Sequence, residues 1–200
     1  MRRANNLWVV IVLLIGFTLA NCSDTKKTTK KEIPAKFIKE LSMPEFTLIR
    51  VPDSSSIESK DIPKEGIVLL KYFSPDCNHC QDEALAYAAK KDSLSNIKTL
   101  WMSGDWANLK QIQEFSDTYK IDQTHPIAVG KNHKSSLILY YNITGVPFAA
   151  VYKDNQLIQQ YKGDVDFKEL IAINNGTFVP QPTDSLLKFV QKKPDSIQRN

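Results

Sequence analysis

The sequence predicts an α/β domain with a central strand covered on both faces, and three observations predict it. Apolar runs of strand length alternate with segments of helical period from residue 45 to residue 174. The run Ile67–Phe73 (IVLLKYF) is almost continuously apolar, as a strand buried on both sides must be. The helical segments that alternate with the strands contain no Gly or Pro.

In chain order, Glu45–Val51 (EFTLIRV) reads as a strand and Pro52–Ser56 as a turn or loop. Ile67–Phe73 is the buried strand. Gln81–Lys91 (QDEALAYAAKK) is Ala-rich and unbroken, a helix on propensity alone. Ile97–Met102 is a further strand, and Asn108–Lys120 carries Leu109, Ile112, Phe115 and Tyr119 at helical spacing. A short helix is expected at Ser135–Tyr141. Phe148–Tyr152 and Leu157–Tyr161 read as two strands joined by Lys153–Gln156, a hairpin signature. Val165–Asn174 closes the pattern as a helix, with Asp164 or Asp166 as its cap and Gly176 near its end. From Thr177 the chain turns polar, and Ser185–Lys192 (SLLKFVQK) has the pattern of one more helix. The expected order is β-β-α-β-α-α-β-β-α, without internal repeat.

Two hundred residues suit one domain with appendages. The formal charge is +4, but Lys26, Lys27, Lys30, Lys31, Lys36 and Lys39 all sit near the N-terminus. No Arg-rich face with interleaved aromatics appears in the body, which argues against nucleic-acid binding. Residues 23–43 read as a Lys/Thr-rich linker that holds the body off a membrane, residues 44–176 as the domain, and residues 177–200 as a C-terminal extension.

Residues 1–22 explain the membrane. Arg2 and Arg3 precede Leu7–Ala20, an uncharged apolar run of 14 residues. A membrane span needs about twenty, whereas the apolar region of a secretory signal is of this shorter length. The run ends in Leu19-Ala-Asn-Cys22, which resembles a bacterial lipoprotein signal, with Asn21 where a small residue is usual. That resemblance implies lipid on Cys22; a plain signal peptide and an uncleaved anchor are the alternatives, and all three export the body. Cysteine parity favours the first. Of three cysteines, lipid on Cys22 leaves Cys77 and Cys80 to pair with each other. Two cysteines are too few for a structural framework, so that pair is expected to be chemical.

Between the buried strand and the first helix stands Cys77-Asn-His-Cys80. A helix N-terminus offers unpaired N–H groups and partial positive charge, which favour the thiolate. Cys77 is therefore expected to attack, and Cys80, one turn further in, to resolve the mixed disulfide. His79 beside the thiolate would favour it further and make the disulfide a better oxidant; the alternative is an exposed His without a role. A zinc site needs about four ligands, and the only other soft donors are His79, His125 and His133. Copper(I) held by Cys77, Cys80 and one of these histidines is the chemical alternative. The polar neighbours Asn78, His79 and Gln81 argue against two inert core thiols.

A CxxC between strand and helix, followed about seventy residues later by Thr144-Gly-Val-Pro-Phe148 ahead of a hairpin, resembles the thioredoxin fold. The extra strand at the front makes the chain similar to the TlpA/ResA group of membrane-tethered thioredoxins. The resemblance implies a central mixed β-sheet flanked by helices, a thiol-disulfide oxidoreductase that needs no cofactor beyond a redox-active Cys77–Cys80 disulfide, and exported protein thiols or disulfides as partners. It implies a cis Val146–Pro147 bond whose backbone binds substrate peptide. Thioredoxin's buried Asp falls here on Lys71. The Glu of the TlpA/ResA group falls on Glu83, which implies a proton acceptor for Cys80; a first-turn acid complementing the helix dipole is the alternative. Asp76 occupies the place of the family's Trp. The competing expectation is a copper-binding metallochaperone on the same fold.

Overall fold

A computed structural model describes residues 41–179. Cys22, the run Leu7–Ala20, most of the linker and the segment Ser185–Lys192 lie outside the described residues. The strands are β1 (Thr47–Arg50), β2 (Ser56–Glu58), β3 (Ile67–Phe73), β4 (Ile97–Ser103), β5 (Pro126–Asn132), β6 (Phe148–Lys153) and β7 (Gln156–Lys162). The α-helices are α1 (Asn78–Ala89), α2 (Leu109–Thr118), α3 (Ser136–Tyr141) and α4 (Phe167–Asn174). The strands form one mixed sheet in the order β2-β1-β5-β4-β3-β6-β7. β3 pairs in parallel with β4, and β4 with β5, whereas β6 and β7 are antiparallel additions on the other side of β3.

The alternation of β3 divides the core. Leu69 and Phe73 point to the face that carries Trp101, Ala149 and Val151 and is covered by α1, α2 and α4. Val68, Leu70 and Tyr72 point to the other face, with Leu100, Met102, Ala150 and Tyr152, under α3 and the N-terminal residues Leu41, Phe46 and Leu48. Each fully buried Leu or Phe here stabilises the fold by about 1.5–3 kcal/mol relative to exposure. α1 turns Cys80, Glu83, Ala84 and Tyr87 inward, the i, i+3, i+4, i+7 stripe of a helix with one buried face. Asn108 caps α2 in a reciprocal box with Gln111, and Asp166 caps α4 by accepting from Lys168 N and Glu169 N.

Two strands depart from the expected order. β5 falls where no element was expected, and it bridges β4 to β1 in the middle of the sheet. Its sequence, PIAVGKN, hides it: Pro126 opens it, Gly130 interrupts it, and Lys131 and Asn132 end it without alternation. Gly130 has a packing reason, because a Cβ there would lie 2.1 Å from the Ile49 carbonyl oxygen of β1. β2 is three residues long and continues from the expected turn at Pro52–Ser56, pairing back onto β1. The β6–β7 hairpin turns on Asp154 and Asn155, both at positive φ (50° and 62°), as a tight two-residue loop requires.

Packing begins ahead of Pro44. Leu41 is buried and its carbonyl accepts from Leu157 N at 2.9 Å, and Ser42 bridges to Gln156. At the other end Thr177 N and Phe178 N both donate to the Ala172 carbonyl, closing α4.

Candidate active site

β3 delivers the chain to the C-terminal edge of the sheet, where Ser74–Asp76 turns it into α1. Cys77 is the N-cap of α1: its backbone is extended, its N–H donates to the Ser74 carbonyl at 3.1 Å, and its carbonyl accepts from Gln81 N at 3.0 Å. Its sulfur accepts from Cys80 N at 3.2 Å. A cap position normally belongs to Ser, Thr, Asp or Asn, whose oxygen satisfies an orphan N–H; here Sγ does so, and a thiolate would do it better. Cys77 is half-buried, whereas Cys80 is 1% exposed, and both are free thiols.

The second loop comes from the start of β6. Tyr72 of β3 pairs with Phe148 of β6, so the residues before Phe148 reach the edge where Cys77 sits. The Val146–Pro147 peptide bond is cis, and the Cys77 thiol donates to the Val146 carbonyl at 3.7 Å. Val146 is half-buried and Pro147 buried. Residues 142–148 with Lys162 and Gly163 line a depression of about 220 Å³ beside this contact.

Cys80 and Cys77 differ in chemistry as well as exposure. Burial pushes the Cys80 thiol up to about 12, helped by its hydrogen bond with Cys77 and opposed by the Ser74 backbone and the Lys71 charge. A thiol so placed stays protonated until a base or a nearby cation helps it ionise.

Both Lys71 and Glu83 are buried under the pair. The Lys71 ammonium binds Glu83 Oε2, and Glu83 Oε1 accepts from Val165 N at 2.8 Å. Lys71 Nζ also lies 5.8 Å from the centre of the Trp101 ring. Glu83 stands six residues past the cap, beyond the first turn of α1, so it does not complement the helix end. One face of the helix places it beside Cys80, at i+3. Lys71 was visible from sequence only as a missing acid. Its signal is a lone ammonium in an apolar strand, which burial makes untenable without a partner.

His79 points outward, with its side chain 76% exposed and Nδ1 3.5 Å from Asp164 Oδ2. Asp76 is exposed. His133 lies apart, in a depression beside β1 and β2 with Glu45 and Lys60. Among the described residues no three His, Cys, Asp or Glu side chains converge to hold a metal ion. Trp106, in the turn after β4, is 47% exposed and meets Tyr72 edge-on at 5.7 Å. Trp101 is fully buried.

The strand order, a CxxC capping α1 and a Pro-containing turn ahead of an antiparallel β6–β7 pair define a thioredoxin-fold domain. No protein-family model and no curated protein matches the chain. Solved structures do. Mycobacterium tuberculosis DsbF, in mixed oxidised and reduced forms, superposes with a TM-score of 0.51 at 17% identity, over 70% of this chain and 97% of its own. A secreted M. tuberculosis disulfide oxidoreductase homologous to Escherichia coli DsbE gives 0.52 at 12% identity, over 69% and 98%. A yeast mitochondrial 1-Cys peroxiredoxin gives 0.51 at 15%, over 67% and 73%. At these identities the likeness is one of fold, so function has to be argued from the site.

Proposed function

We propose that the chain is a thiol-disulfide oxidoreductase that exchanges disulfides with exported proteins through Cys77 and Cys80. One observation carries this reading: the Cys77 thiol caps α1 and faces the Val146 carbonyl, while Cys80 is buried one turn behind it. Cys77 is the more accessible member, and its sulfur accepts from Cys80 N at the start of α1. It attacks a substrate disulfide, the mixed disulfide forms, and Cys80 attacks Cys77 Sγ to release the substrate thiol. Reversed, the same steps donate a disulfide. The depression beside Val146 and Pro147 receives the substrate backbone. Glu83 takes the Cys80 proton, and His79 at the rim, paired with Asp164, modulates the thiolate. Residues 1–22 export the body and tether it, by lipid on Cys22 or by the run Leu7–Ala20, and residues 23–43 space it from the membrane. Among the described residues no helix is long and apolar enough to span a membrane. The named neighbours that are secreted or Dsb-type oxidoreductases support the class of partner.

A redox titration of the full chain in detergent tests this, with the Cys77–Cys80 disulfide followed by alkylation and mass and metal content assayed on the same sample. A reversible two-electron midpoint is expected. A value near about −270 mV marks a reductant and one near about −120 mV a disulfide donor. A pair that does not cycle, with copper bound at one per chain, overturns the proposal in favour of a metal carrier.

A further inference from the structure

The buried ion pair beneath the cysteines raises a question of charge. Resolution of a mixed disulfide needs the Cys80 thiolate, in a site where an isolated anion is strongly disfavoured. Among the described residues of this core layer the titratable groups are Lys71 from β3, Cys77 at the cap of α1, Cys80, Glu83 and Tyr87 from α1, Tyr119 after α2, and Tyr161 from β7. Burial raises Tyr87 and Tyr161 well above their ordinary range, which leaves them neutral. Lys71 is then the cation held inside this layer, facing α1 alongside Leu69 and Phe73, and 1% exposed.

We propose that Lys71 is a positioning residue, the fixed counter-ion that lets one proton pass from Cys80 to Glu83 without changing the net charge of the buried cluster. The inference rests on the oxidoreductase reading above. Before the step the cluster holds Lys71 as ammonium, Glu83 as carboxylate and Cys80 as thiol. After it, the ammonium faces a Cys80 thiolate and a neutral Glu83 carboxyl. One positive and one negative charge are buried in both states, so neither pays a new desolvation cost. Val165 N holds one oxygen of Glu83 throughout, which leaves the Lys71-bound oxygen as the one that changes. The thiolate attacks Cys77 Sγ, the Cys77–Cys80 bond forms, and the bond from Cys77 to the substrate sulfur breaks. The substrate sulfur leaves with the electron pair and takes a proton from solvent, so the substrate is reduced as the pair is oxidised. An acid at position 71 would instead place two carboxylates beside the thiol and oppose its ionisation.

The test loads the reduced full-length chain with the aromatic disulfide 5,5′-dithiobis(2-nitrobenzoate) and records thionitrobenzoate release by stopped flow. With Cys22 blocked by its lipid or by Cys22→Ser, the first release reports capture at Cys77 and the second resolution by Cys80, each measured from pH 6 to pH 10. In Lys71→Met the ratio of resolution to capture at neutral pH is expected to fall by about tenfold or more, and the resolution profile to move to higher pH by about one unit. Lys71→Arg keeps the charge and is expected to restore part of the ratio. If Lys71→Met does not fold, Lys71→Gln, which removes the charge but keeps a hydrogen-bond donor for Glu83, replaces it, and the same slowing is expected. Resolution in either folded variant at the native rate and pH profile overturns the inference. Absence of any second release from the native chain overturns the oxidoreductase reading itself, whatever Lys71 does.

Discussion

Lys71 in the middle of the buried strand β3 and Glu83 on α1 form an ion pair that is almost wholly out of water, with side chains 1% and 3% exposed. The pair ties the active-site helix to the central strand. Through Val165 N, which Glu83 also holds, it ties the same helix to the turn ahead of α4.

Removing one partner leaves a buried charge without compensation. Lys71→Ala or Glu83→Ala alone is expected to lower the unfolding free energy by about 3–5 kcal/mol. The neutral pair Lys71→Met with Glu83→Gln, which keeps an acceptor for Val165 N, is expected to lose less than the two single changes added together. Guanidinium unfolding of the four proteins measures this, and a Lys71→Ala variant within about 1 kcal/mol of the native chain contradicts it.

Cys77 and Cys80 are expected to alkylate unequally. With iodoacetamide at pH 8 the half-buried Cys77 should react about tenfold faster than Cys80 or more, because Cys80 is covered and its thiol pushed up to about 12. Peptide mass mapping at short times decides the order, and equal labelling in the folded chain would count against the assignment of attacking and resolving thiols.

The same shift has a sign for stability. The Cys80 thiol rises from 9.0 to about 12 on folding, chiefly through burial, so its protonated form is the one the fold favours. Buried Tyr141 and Tyr152 are raised well above 10.0 for the same first reason. Their contribution is complete below the unfolded values and is lost as pH rises through the folded ones. Denaturant midpoints should therefore hold between pH 7 and about pH 8.5 and fall progressively above about pH 9. A midpoint that rises above pH 9 would refute the linkage.

Gly130→Ala is expected to loosen β1 from β5, since the added Cβ would meet the Ile49 carbonyl oxygen and carbon at 2.1 and 2.8 Å. Backbone cannot swing aside as a side chain can, so the cost should reach about 1–3 kcal/mol or more. Faster hydrogen exchange confined to β1 and β2 would locate the damage; native exchange and stability would show that the approach is looser than 2.1 Å.

Gly104→Ala provides the contrasting case. Its Cβ would come within 2.4 Å of the Trp106 ring, but that ring is 47% exposed and free to turn outward. A red-shifted tryptophan emission with a stability loss below about 1 kcal/mol is expected. An unshifted spectrum would mean that Trp106 does not lie over Gly104.

Much of this was legible in the sequence, for reasons that differ between elements. β3 could be bounded to the residue because both its faces are buried, and the β6–β7 hairpin because Asp154-Asn155 is a strong turn signal. The CxxC and the Pro147 turn were legible because their spacing is a chemical requirement. β5 was not, because a Pro, a Gly and two polar residues interrupt seven positions that only the neighbouring strands make a strand. Nor was the pairing of Lys71 with Glu83. Each residue has its own local reading, and only the packing of α1 on β3 brings the ammonium to the carboxylate. Likewise His79 acquires Asp164 from a loop 85 positions away in sequence.

The two ends of the sheet bear on how a partner protein is received. β2 is three residues long with exposed Ser56 and Glu58, and Lys60 follows it paired to Glu58. β7 has its first residues clipped by Leu41 and Ser42, and presents Gln159, Gln160 and Lys162 along the remainder. Short length, charge and a covering segment are the usual means of keeping a strand edge from recruiting foreign chains. Among the described residues, β2 and the start of β7 therefore offer little unpaired strand to a foreign chain. Under the proposed function, a polypeptide held at the Cys77 thiol and the Val146 loop would then be bound at a point and not along a strand, so it could leave without seeding a shared sheet.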